Sequence, residues 1–289
     1  MRILITGANG MLGESLLAQL NKTKHTLFAF SHKKKTNILN PLEITNHEQV
    51  RKVVIEHKPD IIIHLAALTN VDYCEAHPDE ANKINFEATK NIVSISKKEN
   101  IHLYFISTGA VFSGEKKKPY IENDVCNPVN VYGNTKLKAE TEVKKLSSRC
   151  IIRTGWLIGG GEKDTKFVSL ILSQLKNKVP LLRAVSDVYG SPTLTFDLTT
   201  IIIKLIERKA QGTLHAVNRG IATRFDISKK ILEILKSDVK LEAVPLGYFK
   251  EKAKRPFMEA LDSSKLKSKY HLSLPPWQVS LRTYIKSLA

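Results

Sequence analysis

Along the first half of the chain, short apolar runs rich in β-branched residues alternate with longer stretches whose apolar residues recur every three or four positions. The runs at 2–6, 26–30, 60–64 and 102–107 are almost unbroken in apolar character, which predicts parallel strands covered on both faces. Between them, Leu12, Leu16, Leu17 and Leu20, then Val50, Val53 and Val54, fall at helical spacing. They predict helices over 12–20 and 49–57, the second stopped by Pro59. This alternation is the sequence form of repeated βαβ units, so the expected fold class is α/β, a Rossmann-like doubly wound parallel sheet. A further strand is expected at 149–154. After Gly159-Gly160-Gly161 the regularity weakens, and helical patterns return at 167–175 and 197–208. The change predicts a smaller C-terminal substrate-binding lobe. Residues 1–156 with about 184–218 would form the nucleotide-binding domain, and about 157–183 with about 219–289 the lobe.

Composition adds exclusions. With 42% hydrophobic and 25% charged residues over 289 positions, the chain reads as a folded protein of one large or two coupled units. Cys74, Cys126 and Cys150 stand far apart, with neither disulfide-framework nor zinc spacing, which suits a reducing cytoplasm. No export signal is expected, and the longest apolar segments, 61–68 and 200–206, fall short of the roughly 20 residues that span a bilayer. The net charge of +17 raises the question of nucleic acid. Most of the cations are lysines scattered in short runs such as Lys33-Lys34-Lys35 and Lys116-Lys117-Lys118, with no aromatic-interleaved stripe. The charge therefore reads as solvated surface, with a minority of lysines steering small phosphorylated ligands, and neither nucleic acid nor membrane is an expected partner.

Three local patterns carry chemistry. Gly7-Ala8-Asn9-Gly10-Met11-Leu12-Gly13 joins the first strand to the first helix with GxxGxxG spacing, where a tight turn, bare backbone amides and close helix packing suit a dinucleotide pyrophosphate. At the end of the second strand no acid follows Phe30; Ser31-His32-Lys33-Lys34-Lys35 offers a hydroxyl and cations instead. That predicts NADP(H) as the preferred cofactor and NAD(H) as the alternative, unless the run is only solvated lysine. Tyr132 and Lys136 stand four apart at the start of a helical stretch running to Leu146, so they share a face. A phenol of pKa near 10 becomes useful at neutral pH when an ammonium stabilises its anion, although the same spacing also occurs in exposed stacking pairs. Upstream, the strand at 102–106 leads into Ser107-Thr108 at the carboxyl edge of the sheet, where a hydroxyl could bind a substrate carbonyl while Tyr132 gives a proton.

Taken with further motifs, the chain resembles the extended short-chain dehydrogenase/reductases, and within them the dTDP-4-dehydrorhamnose reductase family, over nearly its whole length. The motifs are His64-Leu65-Ala66-Ala67-Leu68-Thr69-Asn70-Val71-Asp72 with Glu75, Pro78 and Asn85; Arg153-Thr154-Gly155-Trp156; Asp187-Val188-Tyr189-Gly190-Ser191-Pro192-Thr193 with Asp197-Leu198; and Arg255-Pro256, Leu261-Asp262, Lys265 and Leu274-Pro275-Pro276-Trp277. The resemblance implies NAD(P)H-dependent reduction of a 4-keto group on a nucleotide-linked 6-deoxy sugar, in dTDP-rhamnose and polysaccharide biosynthesis. It implies Tyr132 as acid, Lys136 as its pKa partner and ribose ligand, and Thr108 as carbonyl ligand. It also implies Asn37, Ile38, Leu65, Ala66 and Ala67 at the cofactor, and Thr69, Val71, Asp72, Thr108, Trp156 and Arg255 at the sugar nucleotide. No metal is assigned, and a homodimer is allowed for. Trp156 could equally be core packing and Arg255 a surface cation. Gly109-Ala110 replaces the Asp-Tyr usual after the hydroxyl, and 255–260 lacks the usual Asn-Ser, so the sugar itself stays open. Gly109-Ala110 also lacks the acid and base a dehydratase needs. Two alternatives stand: a nucleotide-sugar 4-epimerase, and a nonenzymatic NADP-binding subunit resembling the regulatory subunit of methionine adenosyltransferase.

Overall fold

The computed structural model describes residues 1–32, 36, 39–161 and 166–288; Lys33, Asn37 and Ile38, expected at the cofactor, lie outside the described residues. The strands are β1 (Arg2–Thr6), β2 (Thr26–Ser31), β3 (Leu39–Pro41), β4 (Ile61–His64), β5 (His102–Thr108), β6 (Arg149–Thr154), β7 (Leu157–Ile158), β8 (Leu181–Val185), β9 (Thr193–Leu194), β10 (Gly212–His215) and β11 (Lys240–Val244). The helices are α1 (Met11–Leu20), α2 (His47–His57), α3 (Val71–Ala76), α4 (Pro78–Asn82), α5 (Ala88–Lys98), α6 (Val131–Val143), α7 (Phe167–Lys176), α8 (Thr195–Glu207), α9 (Arg224–Leu235), α10 (Ser264–Tyr270) and α11 (Trp277–Ser287). A π-helical turn, Lys83–Glu87, links α4 to α5. The helix expected to reach Leu146 ends three residues earlier, at Val143.

Seven strands make one parallel sheet in the order β10-β6-β5-β4-β1-β2-β3. The chain moves outward from β1 through β2 and β3, then returns to the other side of β1 with β4. The crevice beyond the carboxyl ends of β1 and β4 is thus the topological switch point at which such sheets bind ligands. Register aligns the edge: Thr6 lies beside Phe30 and His64, and Thr108 beside Thr154.

The unbroken apolar runs are explained by burial on both faces. Ile3, Ile5, Ile61 and Ile63 pack towards α1 and α8, while the alternate residues Leu4, Ile62, Leu103 and Phe105 pack towards α2, α5 and α6. Each such side chain, fully buried, contributes about 1.5–3 kcal/mol. A separate core joins Ile171 of α7, Leu182 of β8, Ile231 of α9 and Leu281 of α11 in the second half of the chain. β8, which crosses the expected boundary at 183, pairs with β11 in a two-stranded sheet. α10, expected in the smaller lobe, buries Leu266 in the core of the large sheet.

Candidate active site

The cofactor half of the site is built mainly from backbone. The loop after β1 is tied to β2 by Ala8 N donating to Phe30 O (2.9 Å), and closes on itself through Gly10 N to Gly7 O (3.1 Å). A Cβ at Gly13 would lie 2.6 Å from Gly7 O and 2.7 Å from the Ala8 backbone, so the approach of α1 to the loop admits only glycine. α1 begins at Gly10 with no side-chain cap, leaving first-turn amides suited to an anion. These are the features a dinucleotide pyrophosphate requires, so the residues present fit the cofactor. Behind the loop, buried His64 pairs with the hydroxyls of Thr6 (2.6 Å) and Thr89 (3.1 Å); burial, aided by Lys136, pushes its pKa down to about 3 and keeps it neutral. Asn85 accepts Leu68 N (2.8 Å) and donates to Leu68 O (3.0 Å) and Thr135 Oγ1 (3.1 Å), fastening the β4 edge to α6.

The end of β2 carries a feature the sequence did not suggest. Leu42 N donates to Ser31 O (2.8 Å), and Glu43, just after β3, pairs with His32 Nδ1 at 2.8 Å. Burial works against the Glu43 anion, but hydrogen bonds from Thr45 and the charges of His32 and Lys83 hold its carboxyl below the usual range. A carboxylate thus reaches the β2 edge from the neighbouring strand.

At the centre, β5 delivers Thr108 and α6 delivers Tyr132 and Lys136. Asn130 caps α6 by accepting Gly133 N (2.8 Å), and the helix is drawn so close to the turn after β5 that a Cβ on Gly133 would sit 2.1 Å from Ala110 O. This contact, available only to glycine, places Tyr132 against Thr108. Thr108 Oγ1 accepts Ala110 N (3.1 Å), which leaves its hydroxyl as a donor towards Tyr132. Burial pushes the Tyr132 phenol up to about 12, while its hydrogen bond with Thr108 pulls the other way and Cys74 and Glu259 add to the rise. Lys136 donates to Ile106 O (2.8 Å) and lies over the Phe105 ring (4.1 Å). Burial pushes its ammonium down to about 7, and Glu140, one turn along α6, acts in the opposite direction.

Thr108, Tyr132 and Lys136 line one cleft of about 920 Å³ together with Gly7, Asn9, Gly10, Met11, Leu12, Gly13, Ser31, His32, Leu65, Ala66 and Ala67. Thr69, Val71, Trp156 and Arg255 line its other end. Asp72 departs from expectation. It is not on the cleft wall; it accepts Lys252 N (3.1 Å) and Ala253 N (2.9 Å) and pairs with Arg255 at 2.8 Å. Arg255, expected at the sugar nucleotide, is held by Asp72 and by Glu251 (3.3 Å). Trp156 is no plain core residue: its Nε1 donates to Glu259 Oε2 (2.6 Å), and the Arg224 guanidinium lies 4.0 Å from its ring centroid. Sequence reading missed Glu43, Ile44, Arg224 and Glu259, all on the cleft wall. The only signal was a missing one, the absence of the usual Asn-Ser within 255–260. Among the described residues no group of His, Cys, Asp or Glu could hold a metal ion, and no helix is long and apolar enough to cross a membrane.

The family model described as the RmlD substrate binding domain matches residues 1–289. A dTDP-4-dehydrorhamnose reductase of Aggregatibacter actinomycetemcomitans is 30% identical over 295 residues, covering 97% of each chain. Among solved structures, a dTDP-4-dehydrorhamnose reductase from Clostridium acetobutylicum superposes with a TM-score of 0.92 at 36% identity, covering 100% of this chain and 99% of that one. The Bacillus anthracis enzyme of the same name, solved in complex with NADP, gives a TM-score of 0.91 at 34% identity with 99% of both chains covered.

Proposed function

This chain belongs to the RmlD substrate-binding domain family, and we propose that it is an NADPH-preferring reductase of the 4-keto group of a nucleotide-linked 6-deoxy sugar, acting in the cytoplasm. The observation that carries the reading is the meeting of the Thr108 and Tyr132 hydroxyls inside the cleft whose other half is the glycine loop.

Bound NADPH would supply the hydride that converts the keto carbon to a carbinol. Gly7 to Gly13 and Leu65 to Ala67 would hold the dinucleotide, with Ser31 and His32 at its adenosine end. Thr108, whose Oγ1 already accepts the Ala110 amide, would turn its hydroxyl hydrogen from Tyr132 to the keto oxygen. Tyr132 gives that oxygen its proton. With burial holding the phenol at about 12, it is protonated across neutral pH and acts as donor, not base. Lys136, fixed on Ile106 O and lining the same cleft, would hold the nicotinamide ribose.

The test follows NADPH consumption with dTDP-4-dehydrorhamnose. One NADPH should be oxidised per sugar reduced, and Tyr132→Phe should cost on the order of 10²-fold or more in kcat. Absence of turnover in the wild type, or full turnover in the variant, overturns the reading. A cofactor that is retained and not consumed would point to epimerisation.

A further inference from the structure

The sugar end of the cleft must read the hexose, and its wall is unusual in composition. A Cβ at Gly109 would lie 2.8 Å from Glu259 O, so the residue after Thr108 can present no side chain there. The segment carrying Glu259 occupies that space. It is clamped from both sides: Met258 N donates to Gly114 O (3.2 Å), Glu259 N to Tyr189 O (2.7 Å) and Leu261 N to Ser191 Oγ (3.0 Å). The Glu259 side chain lines the cleft, with Oε2 taken by Trp156 Nε1 and Oε1 without a partner among the described residues. Arg224 lines the same wall. Its guanidinium is sandwiched by Trp156 (4.0 Å) and Phe167 (4.8 Å), and none of its N–H groups has a hydrogen-bond partner among the described residues. An acceptor and a fork of donors therefore stand on one indole, oriented by packing and open to the cleft.

We propose that Glu259 and Arg224 form the subsite that selects the hexose, Glu259 accepting a hydrogen bond from one ring hydroxyl and Arg224 donating to the oxygen of its neighbour. This rests on the reductase reading and deepens it. The substrate class that fits is a neutral 4-keto sugar with adjacent free hydroxyls. A diol satisfies both, one hydroxyl donating to Glu259 and the oxygen of its neighbour accepting from Arg224. Burial raises the Glu259 pKa and Arg224 opposes the rise, as expected of a carboxylate held near a cation but not saturated by it.

The test compares dTDP-4-dehydrorhamnose with its 2-deoxy and 3-deoxy analogues in wild type, Glu259→Gln and Glu259→Ser. Gln can keep the Trp156 contact through its carbonyl, which turns its amide nitrogen towards the cleft and offers a donor where the hydroxyl needs an acceptor. Wild type should favour the full diol by about tenfold or more in kcat/KM over at least one analogue. In both variants that preference, read as the ratio of kcat/KM between the diol and its analogues, should collapse. An unchanged preference in both variants, or none in wild type, overturns the subsite. Calorimetric binding of the same sugars needs no turnover and keeps the two readings apart. Discrimination by binding without NADPH oxidation would sustain the subsite and overturn the reductase, and equal affinities in wild type would overturn the subsite whatever the turnover.

Discussion

Arg153 grips Glu140 through two parallel bonds, Nε to Oε1 at 2.9 Å and Nη2 to Oε2 at 2.7 Å, while Ser107 gives Oε1 a third at 2.6 Å. Arg224 and Glu259 meet through Trp156 and face the cleft. Both pairs join an arginine to a carboxylate in the neighbourhood of Tyr132, yet they differ in what they have left to give. The first spends its bonding capacity inside the protein, with both side chains almost wholly excluded from solvent, and so serves as scaffold beneath β5 and α6. The second keeps an acceptor and several donors in reserve, which only a ligand or water can use. Satisfaction, more than burial or charge, separates the structural arginine and carboxylate from those left open to a ligand.

The largest effect that would break this contrast is on stability. Arg153→Ala should cost about 3–5 kcal/mol by urea denaturation, because it strands a buried carboxylate. Replacing both partners with apolar residues of similar size, Arg153→Met with Glu140→Leu, should recover much of that loss. A mild effect of the single substitution would mean that Lys144, 3.7 Å from Glu140 Oε2, is enough to hold the carboxylate.

The same contrast marks what the sequence could and could not reveal. Strands and helices with strong apolar periodicity were legible because each depends on residues a few positions apart. So were the glycine loop and the Tyr132–Lys136 spacing, each contained within one turn and the start of one helix. The short β3 was not, and with it Glu43, since no pattern assigns a carboxylate after one strand to the edge of the next. Trp156 and Glu259 are 103 positions apart, and Asp72 and Arg255 are 183 apart. Asp72 and Arg255 were each expected at the substrate because the resemblance implies it; the fold pairs them with one another. Charges on distant segments become scaffold or site only through a partner that linear order does not show.

A smaller effect concerns Lys136, which links the scaffold pair to the chemistry. With its pKa pushed down to about 7, it loses its proton as pH rises through that value in the free enzyme. NADPH-limited kcat/KM, which reports free-enzyme groups, should therefore fall above about pH 7. Glu140 holds that pKa up, so Glu140→Gln should move the fall to lower pH. A profile unmoved by that substitution would confine Glu140 to packing.

The smallest effect turns the comparison on the second pair. A carboxylate whose folded pKa is lowered, such as Glu140, contributes stability that is present above its unfolded pKa and lost as pH falls through the folded one. Glu259 has the opposite sign. Burial raises its pKa despite Trp156, Arg224 and Arg255, so the anion weakens the folded state at neutral pH, and that cost disappears as pH falls and the group protonates. Glu259→Gln should therefore be slightly more stable than wild type at pH 7, with the difference vanishing in acid, as read by denaturation across pH. A residue retained against stability and open to the cleft is one that binding requires. A variant less stable than wild type at pH 7 would instead make Glu259 a counter-ion for Arg224, and the two pairs would no longer differ in kind.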